Sequence, residues 1–228
     1  MTHLFADAIQ RLKLSYVAGE MQPSEDLYLE FVASYKAVHR SLRQHLDRLN
    51  LDAAGGLAPL ITKLEIYRIC EDGAAFINTW FLPFARPLDD RVFLRKSCVS
   101  ASITTLHRSH ESFRVADFRR YICMAYGMDS IEARLHSCLA FNDYIAAFEI
   151  ASEWLNPANP NRLGLTLNFA LFYHEVLGRD QHACHLAKFG FDEAVRFIDV
   201  FPEYEVSESS FSALSILKGH LISWTSRP

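Results

Sequence analysis

Apolar residues recur along this chain at spacings of three and four, and glycine and proline are confined to a few breaks. A repeat near 3.6 residues marks helices that bury one face, so the chain is predicted to be all-α, with no convincing strand or hairpin signal. The pattern predicts nine helices, over about 4–19, 24–50, 57–82, 88–107, 109–127, 130–154, 161–177, 180–201 and 208–225, with ends good to about two to four residues. The breaks have recognisable chemistry. "QPSEDL" offers Ser24 as an N-cap with acids in the first turn, while "LDAAGGLAP", "LPFARPLDD", "YGMDS" and "LNPANPNR" interrupt the apolar repeat. Such short connections predict antiparallel neighbours stacked as successive hairpins. The stretch "HACHLAKFGFDEAVRFIDVFPE" has the flavour of a helical-repeat unit, but no such period recurs.

Three of these helices carry polar residues that the apolar repeat does not account for. Over 24–50, Phe31, Tyr35, Val38, Leu42, Leu46 and Leu49 share one face, and Lys36, Arg40, Arg43 and Asp47 lie nearly opposite, with Lys36 and Arg43 two turns apart on one line. By pattern alone a solvated face is the first account of it, and two cations at this spacing do not by themselves mark a site. In "SFRVADFRRYICMAYG", Val115, Phe118, Ile122 and Ala125 share a face, while Arg120 sits on apolar ground among Phe113, Ala116, Cys123 and Met124. Asp117 lies one turn before Arg120 and Tyr121, close enough to hold the guanidinium or accept from the phenol, and Arg119 points elsewhere. A structural ion pair and an anion site with Asp117 as orienting residue are both open at this point. The helix "NRLGLTLNFALFYHEVLG" is apolar almost all round and should be internal. One strip carries Gly164, Leu167, Asn168, Leu171 and Glu175. Its Asn168 could bond a neighbouring helix or the backbone of an extended peptide.

Composition narrows the classes. With 228 residues, half of them hydrophobic, the chain can bury a sizeable core. A net charge of −4 leaves no global nucleic-acid footprint, so any phosphate recognition must be local. Five separated cysteines (Cys70, Cys98, Cys123, Cys138, Cys184) suit reduced thiols better than a disulfide scaffold. The opening "MTHLFADAIQRLKLSY" lacks the apolar block of a signal peptide, and no apolar run reaches spanning length. A soluble cytoplasmic protein is expected. His182, Cys184 and His185, and separately His107 and His110, supply no three convergent ligands, so no metal is expected. No cofactor fingerprint or catalytic motif such as GxSxG, HExxH or a P-loop occurs, and no enzyme is expected.

The last three predicted helices contain "NPNRLGLTLNFALFYHEVLG", "HACHLAKFGFDEAVRFID" and "SSFSALSILKGHLISWTS". This succession resembles the end of the 14-3-3 family, with its RLGLALNF, ACxLAKxAFDEAI and LTLWTS. Upstream, "YIAAFEIAS" is similar to the family's YQEAFEIS, "FRRYICMA" to its YYRYLAE, and "VASYKAVHRSLR" to its VAYKNVVGARR. Motifs from six helices thus occur in family order over most of the chain. The resemblance implies a single helical domain over 1–228 with a concave amphipathic groove that binds phosphoserine or phosphothreonine peptides of client proteins, without catalysis, nucleic acid or membrane. It implies a phosphate site of Lys36, Arg43, Arg120 and Tyr121, oriented by Asp117, and a peptide-binding set of Leu167, Asn168, Leu171, Glu175, Ile216, His220 and Trp224. The implied chemistry suits two guanidinium forks, an ammonium and a phenol set against a doubly charged anion.

The departures are specific. His220 stands where the family has an asparagine, Asp47 replaces an arginine one turn past Arg43, and Ser212, Ala213 and Ile216 make a thinner apolar wall. An interaction protein with lost or altered phosphopeptide specificity is therefore the alternative. Residues 4–19 match the family's second helix, the stretch from Leu49 to Ile69 is short, and the segment near 88–107 reads as an inserted helix. The first two of these changes fall on the family's dimer elements, so an atypical homodimer and a monomer are both expected states.

Overall fold

The computed structural model describes residues 10–11, 14, 25–51, 57–76 and 115–226. Beyond the helical residues Gln10, Arg11 and Leu14, seven helices are described and no strand occurs among these residues. They are α1 (Glu25–Leu51), α2 (Leu57–Phe76), α3 (115–126), α4 (Ile131–Trp154), α5 (Pro160–Glu175), α6 (Asp180–Val200) and α7 (Glu208–Thr225). The helices expected over 24–50, 130–154, 161–177, 180–201 and 208–225 agree with these within about two residues. The remainder of the expected helix 4–19, residues 77–82, the expected inserted helix 88–107, Ser24, Cys98, His107 and His110 lie outside the described residues, as do the side chains of Phe31 and Tyr35.

Local chemistry sets the helix starts. Ser130 caps α4, its hydroxyl accepting from the Ala133 amide at 3.1 Å. Asn159 caps α5 through the Asn161 amide, and Pro160 occupies the first turn, where its missing N–H costs nothing. Ser207 caps α7 through the Ser210 amide, and the Ser210 hydroxyl donates to the Ala158 carbonyl at 2.7 Å. That last bond ties the start of α7 to the turn ahead of α5.

Three apolar clusters build the array, and shared helices join them. Val38, Leu42 and Leu46 of α1 pack with Ile66, Cys70 and Ala74 of α2 and with Val115, Phe118, Tyr121, Ile122 and Ala125 of α3. The opposite side of α3, through Ala116 and Cys123, packs on Tyr144 and the alanines of α4 and on Leu165, Phe169 and Phe172 of α5. The far side of α5 meets Ala183, Ala187 and Ala194 of α6 and Leu214, Leu217 and Trp224 of α7. Both α3 and α5 are therefore enclosed on two sides, which is why their sequences are apolar nearly all round. Any polar residue they carry inward is held in a low-dielectric setting, where it must be paired.

Two glycines permit close approaches. A Cβ on Gly73 would lie 2.5 Å from Phe118 Cε2, so the bare backbone of α2 makes room for that ring. A Cβ on Gly190 would lie 2.6 Å from Thr166 Cγ2. There a larger Thr166 on α5 faces a bare Gly190 on α6, so the two side-chain volumes complement each other across the contact. Cys70 and Cys123 are buried free thiols, and burial pushes the Cys123 thiol up to about 12, which makes it a core residue without reactivity. No helix among the described residues is long and apolar enough to cross a membrane.

Candidate functional site

The awkward arginine of α3 is the centre of a buried polar cluster. Arg120 is 0% exposed, and its Nη1 donates to Glu175 Oε2 at 2.6 Å, from the last turn of α5. Asp117 Oδ1 lies 3.8 Å from its Nε, one helical turn back as the spacing requires. Burial opposes the charge, but Tyr144, Tyr121, Asp117 and Glu175 outweigh it and hold the guanidinium pKa well above its ordinary value. The group stays cationic inside the protein. Among the described residues its Nε and Nη2 have no hydrogen-bond partner, so the guanidinium fork retains donors that these neighbours do not use.

Glu175 joins this arginine to a second one. Its Oε1 accepts from Arg43 Nη2 at 3.3 Å, so one carboxylate spans guanidinium groups delivered by α1 and α3. Arg43 is 44% exposed and Glu175 19%, which places the Arg43 end toward solvent and the Arg120 end inside. Asp117, 1% exposed, is held from two further helices: the Tyr144 hydroxyl donates to Oδ1 at 2.6 Å and Asn168 Nδ2 donates to Oδ2 at 2.9 Å. Asp117 was expected to orient Arg120. The 3.8 Å separation makes that an electrostatic influence, whereas its short bonds fix α4 and α5 to α3.

Tyr121 is also buried, and its hydroxyl lies 2.6 Å from His39 Nε2, with the two rings edge to face at 5.0 Å. Burial pushes the phenol pKa upward, so Tyr121 is present as the neutral donor or acceptor. Burial lowers the His39 imidazole, and Arg120 and Arg43 act in the same sense against the pull of Asp117. The expected partner Lys36 is exposed on α1, two turns ahead of Arg43, and Asp47 is exposed one turn after it. Arg119 indeed points away and pairs with Asp143, whose carboxyl burial pushes up to about 6 although Arg119 opposes the rise.

The expected peptide-binding residues divide by exposure. Asn168 is half-buried and committed to Asp117, and Leu171, 5% exposed, belongs to the cluster between α5, α6 and α7. Leu167 packs at the edge of that cluster, whereas Ile216 is 48% exposed. His220 stacks on Trp224 with centroids 4.9 Å apart, and Trp224 also meets the His174 ring at 4.9 Å. Burial lowers the His220 pKa, while Glu175 raises it and Arg43 and His174 lower it, so His220 lies within the field of the arginine–carboxylate bridge. Among the described residues, no three His, Cys, Asp or Glu side chains are arranged for a metal ion, and His182 stacks on Tyr173.

The bonds thus bring together Arg43, Asp117, Arg120, Tyr121, Asn168 and Glu175 from three helices whose members are up to 132 positions apart. Sequence reasoning missed His39 and Tyr144. His39 had a signal, since it falls three residues after Lys36 and four before Arg43 and so shares their side of the helix. Tyr144 had none, being one aromatic among the apolar positions of "NDYIAAFEIAS".

Comparison with known proteins bears on the same helices. The family profile for 14-3-3 protein matches residues 113–225, from the start of α3 to the end of α7. Over 162 residues, 71% of this chain, it is 33% identical to the 14-3-3 family protein artA of Aspergillus flavus, and the match spans 60% of that protein. It is 32% identical over 162 residues to 14-3-3 protein beta/alpha of Xenopus tropicalis, across 58% of the latter. With 14-3-3 protein homolog 2 of Schistosoma mansoni it shares 31% identity over 163 residues, 66% of that relative. The chain therefore spans about 60% of the length of the curated relatives it matches. An all-helical array, the ordered motifs of α1 and α3–α7, and these matches together establish that the chain belongs to the 14-3-3 family.

Proposed function

We propose that this protein is a phosphoserine- and phosphothreonine-dependent adaptor that captures phosphorylated segments of client proteins and catalyses no reaction. The reading rests above all on the bridge in which Arg43 and Arg120, from separate helices, converge on the two oxygens of one carboxylate. A site that holds one oxyanion between two guanidinium groups has the charge and fork geometry that a phosphate monoester needs. The phosphate brings about −1.5 to −2 charges at pH 7 and three acceptor oxygens, against the single charge of Glu175. It would displace the carboxylate from the arginines and engage the Arg120 donors that have no partner among the described residues. Lys36 would supply an ammonium from the exposed side of α1 and Tyr121 a phenol. Leu167, Asn168, Leu171, Ile216, His220 and Trp224 would receive the flanking peptide in a groove along α5 and α7.

One observation favours a second reading, an interaction protein with altered phosphate specificity. Arg120 is 0% exposed, so its charge is already neutralised by Glu175 and its access to a ligand requires that carboxylate to move. A fluorescent phosphoserine peptide and its unphosphorylated twin separate the two by anisotropy titration. The adaptor reading expects the phosphorylated form to bind at least about tenfold more tightly, a difference of 1.4 kcal/mol, and expects Arg43→Glu to erase the difference. Equal binding of the two peptides, or an unchanged preference in Arg43→Glu, would refute it. Arg43 is the residue to vary because it is half-exposed and its loss leaves the core intact.

A further inference from the structure

We infer that His39 is a further member of the phosphate site, holding the Tyr121 hydroxyl and taking up a proton when a phosphorylated segment binds, so that capture is coupled to pH. The inference rests on the phosphopeptide reading above and adds its regulation. His39 stands on the same helix as Lys36 and Arg43, and its Nε2 lies 2.6 Å from the Tyr121 hydroxyl, the one phenol expected to meet the phosphate. Its ring meets the Tyr121 ring edge to face, so the imidazole is oriented by packing as well as by the bond.

Among the described residues, the charged groups that act on His39 include Asp117 and Arg120 from α3 and Arg43 from its own helix, with Glu175 of α5 bridging both arginines. In the free protein burial is the largest influence and keeps the imidazole neutral. In the tautomer protonated at Nδ1, the neutral ring accepts the Tyr121 O–H hydrogen bond at Nε2, and the phenol then offers only lone pairs to an incoming phosphate. Replacing the single charge of Glu175 by a nearly dianionic ester makes the local field more negative and favours the imidazolium. One proton passes from solvent to His39, whose Nε2–H then donates to the Tyr121 oxygen. The phenol proton is released to turn toward a phosphate oxygen, and no covalent bond to the ligand forms or breaks.

The sign follows from linkage. Binding that takes up a proton strengthens as pH falls, by at most about tenfold per pH unit for one proton, between the bound and free pKa values of the imidazole. The ester itself loses charge below its second pKa near 6, which works in the opposite direction. His39→Gln removes the titration but keeps an amide able to bond Tyr121, so the ester's own effect cancels in the comparison.

The test is to titrate a fluorescent phosphoserine peptide into the full chain and into His39→Gln from pH 8 to 6.5, and to follow the His39 Cε1 proton by NMR with and without saturating peptide. Affinity of the parent protein should rise more steeply on acidification than that of His39→Gln, and the His39 titration should move upward on binding. Parallel pH profiles, or a His39 titration that the peptide does not move, would overturn the inference while leaving the phosphopeptide reading in place. Absence of phosphate-dependent binding to either protein at every pH would overturn both. Should His39→Gln fail to fold, the NMR titration of the parent protein decides alone.

Discussion

Replacing Glu175 by glutamine probes the central bridge while preserving shape. The change removes the charge that faces Arg120 at 2.6 Å and Arg43 at 3.3 Å, yet leaves an amide oxygen able to accept from either. Two unit charges centred about 4 Å apart interact by about 4 kcal/mol at an effective dielectric of 20. The retained bond to a charged donor recovers about 1.5–3 kcal/mol of that, and Asp117 still faces Arg120 Nε at 3.8 Å. Stranding a buried charge altogether would cost about 3–5 kcal/mol, whereas the exposed Arg43 end contributes no more than about 1 kcal/mol. The expected net loss is about 2 kcal/mol, which for a chain of this size lowers Tm by about 4–8 °C. Thermal and urea unfolding with peptide absent measure it. A saturating phosphopeptide at about 100 times its Kd adds about 2.7 kcal/mol to the state it binds. Glu175→Gln should reach that level at lower peptide concentration, because no internal carboxylate competes. A Tm within about 1 °C of the parent value would show that Arg120 does not depend on Glu175. Weaker peptide stabilisation of the variant would show that Glu175 assists binding instead of occupying the site.

Other expectations follow from the same geometry. Tyr144→Phe deletes the hydroxyl that donates to Asp117 at 2.6 Å inside the core, and denaturant unfolding should register a loss of about 1.5–3 kcal/mol. Gly190→Ala should cost about 1–3 kcal/mol by overpacking against Thr166, and Thr166→Ala in the same chain should restore most of it. Additive losses in that double variant would refute the paired-volume account. Burial depresses the imidazoles of His39, of His220 and of His136, a buried residue of α4, so the unfolded chain binds protons there more readily. That contribution to stability is present above an ordinary histidine pKa near 6.5 and is lost as pH falls through the depressed folded values. Urea midpoints measured from pH 7 to 5 should fall, and His136→Gln should flatten the slope.

Much of the helix layout was legible because it is a local property. The 3.6-residue repeat acts within a turn or two of chain, and α4, α5 and α7 start within about one residue of where it places them, at caps (Ser130, Asn159 and Ser207) that the structure identifies. The oddity of Arg120 was also legible, since a charged residue among Ala116, Cys123 and Met124 breaks the apolar face. Its partner was not. Asp117 was the nearest acid in sequence, yet the short contact comes from Glu175, fifty-five positions away.

The sequence by itself determined that the described elements are helices, that α5 is internal, and that Arg120 sits awkwardly on an apolar face, because periodicity and composition record burial one helix at a time. Only the tertiary structure decided which side chains meet: Glu175 between two arginines, Asp117 bonded by Tyr144 and Asn168, and His39 on the Tyr121 hydroxyl. Hydrogen bonds act over about 3 Å and depend on direction, so an error of a fraction of a helical turn in packing changes the partner. No pattern confined to a single helix carries that information.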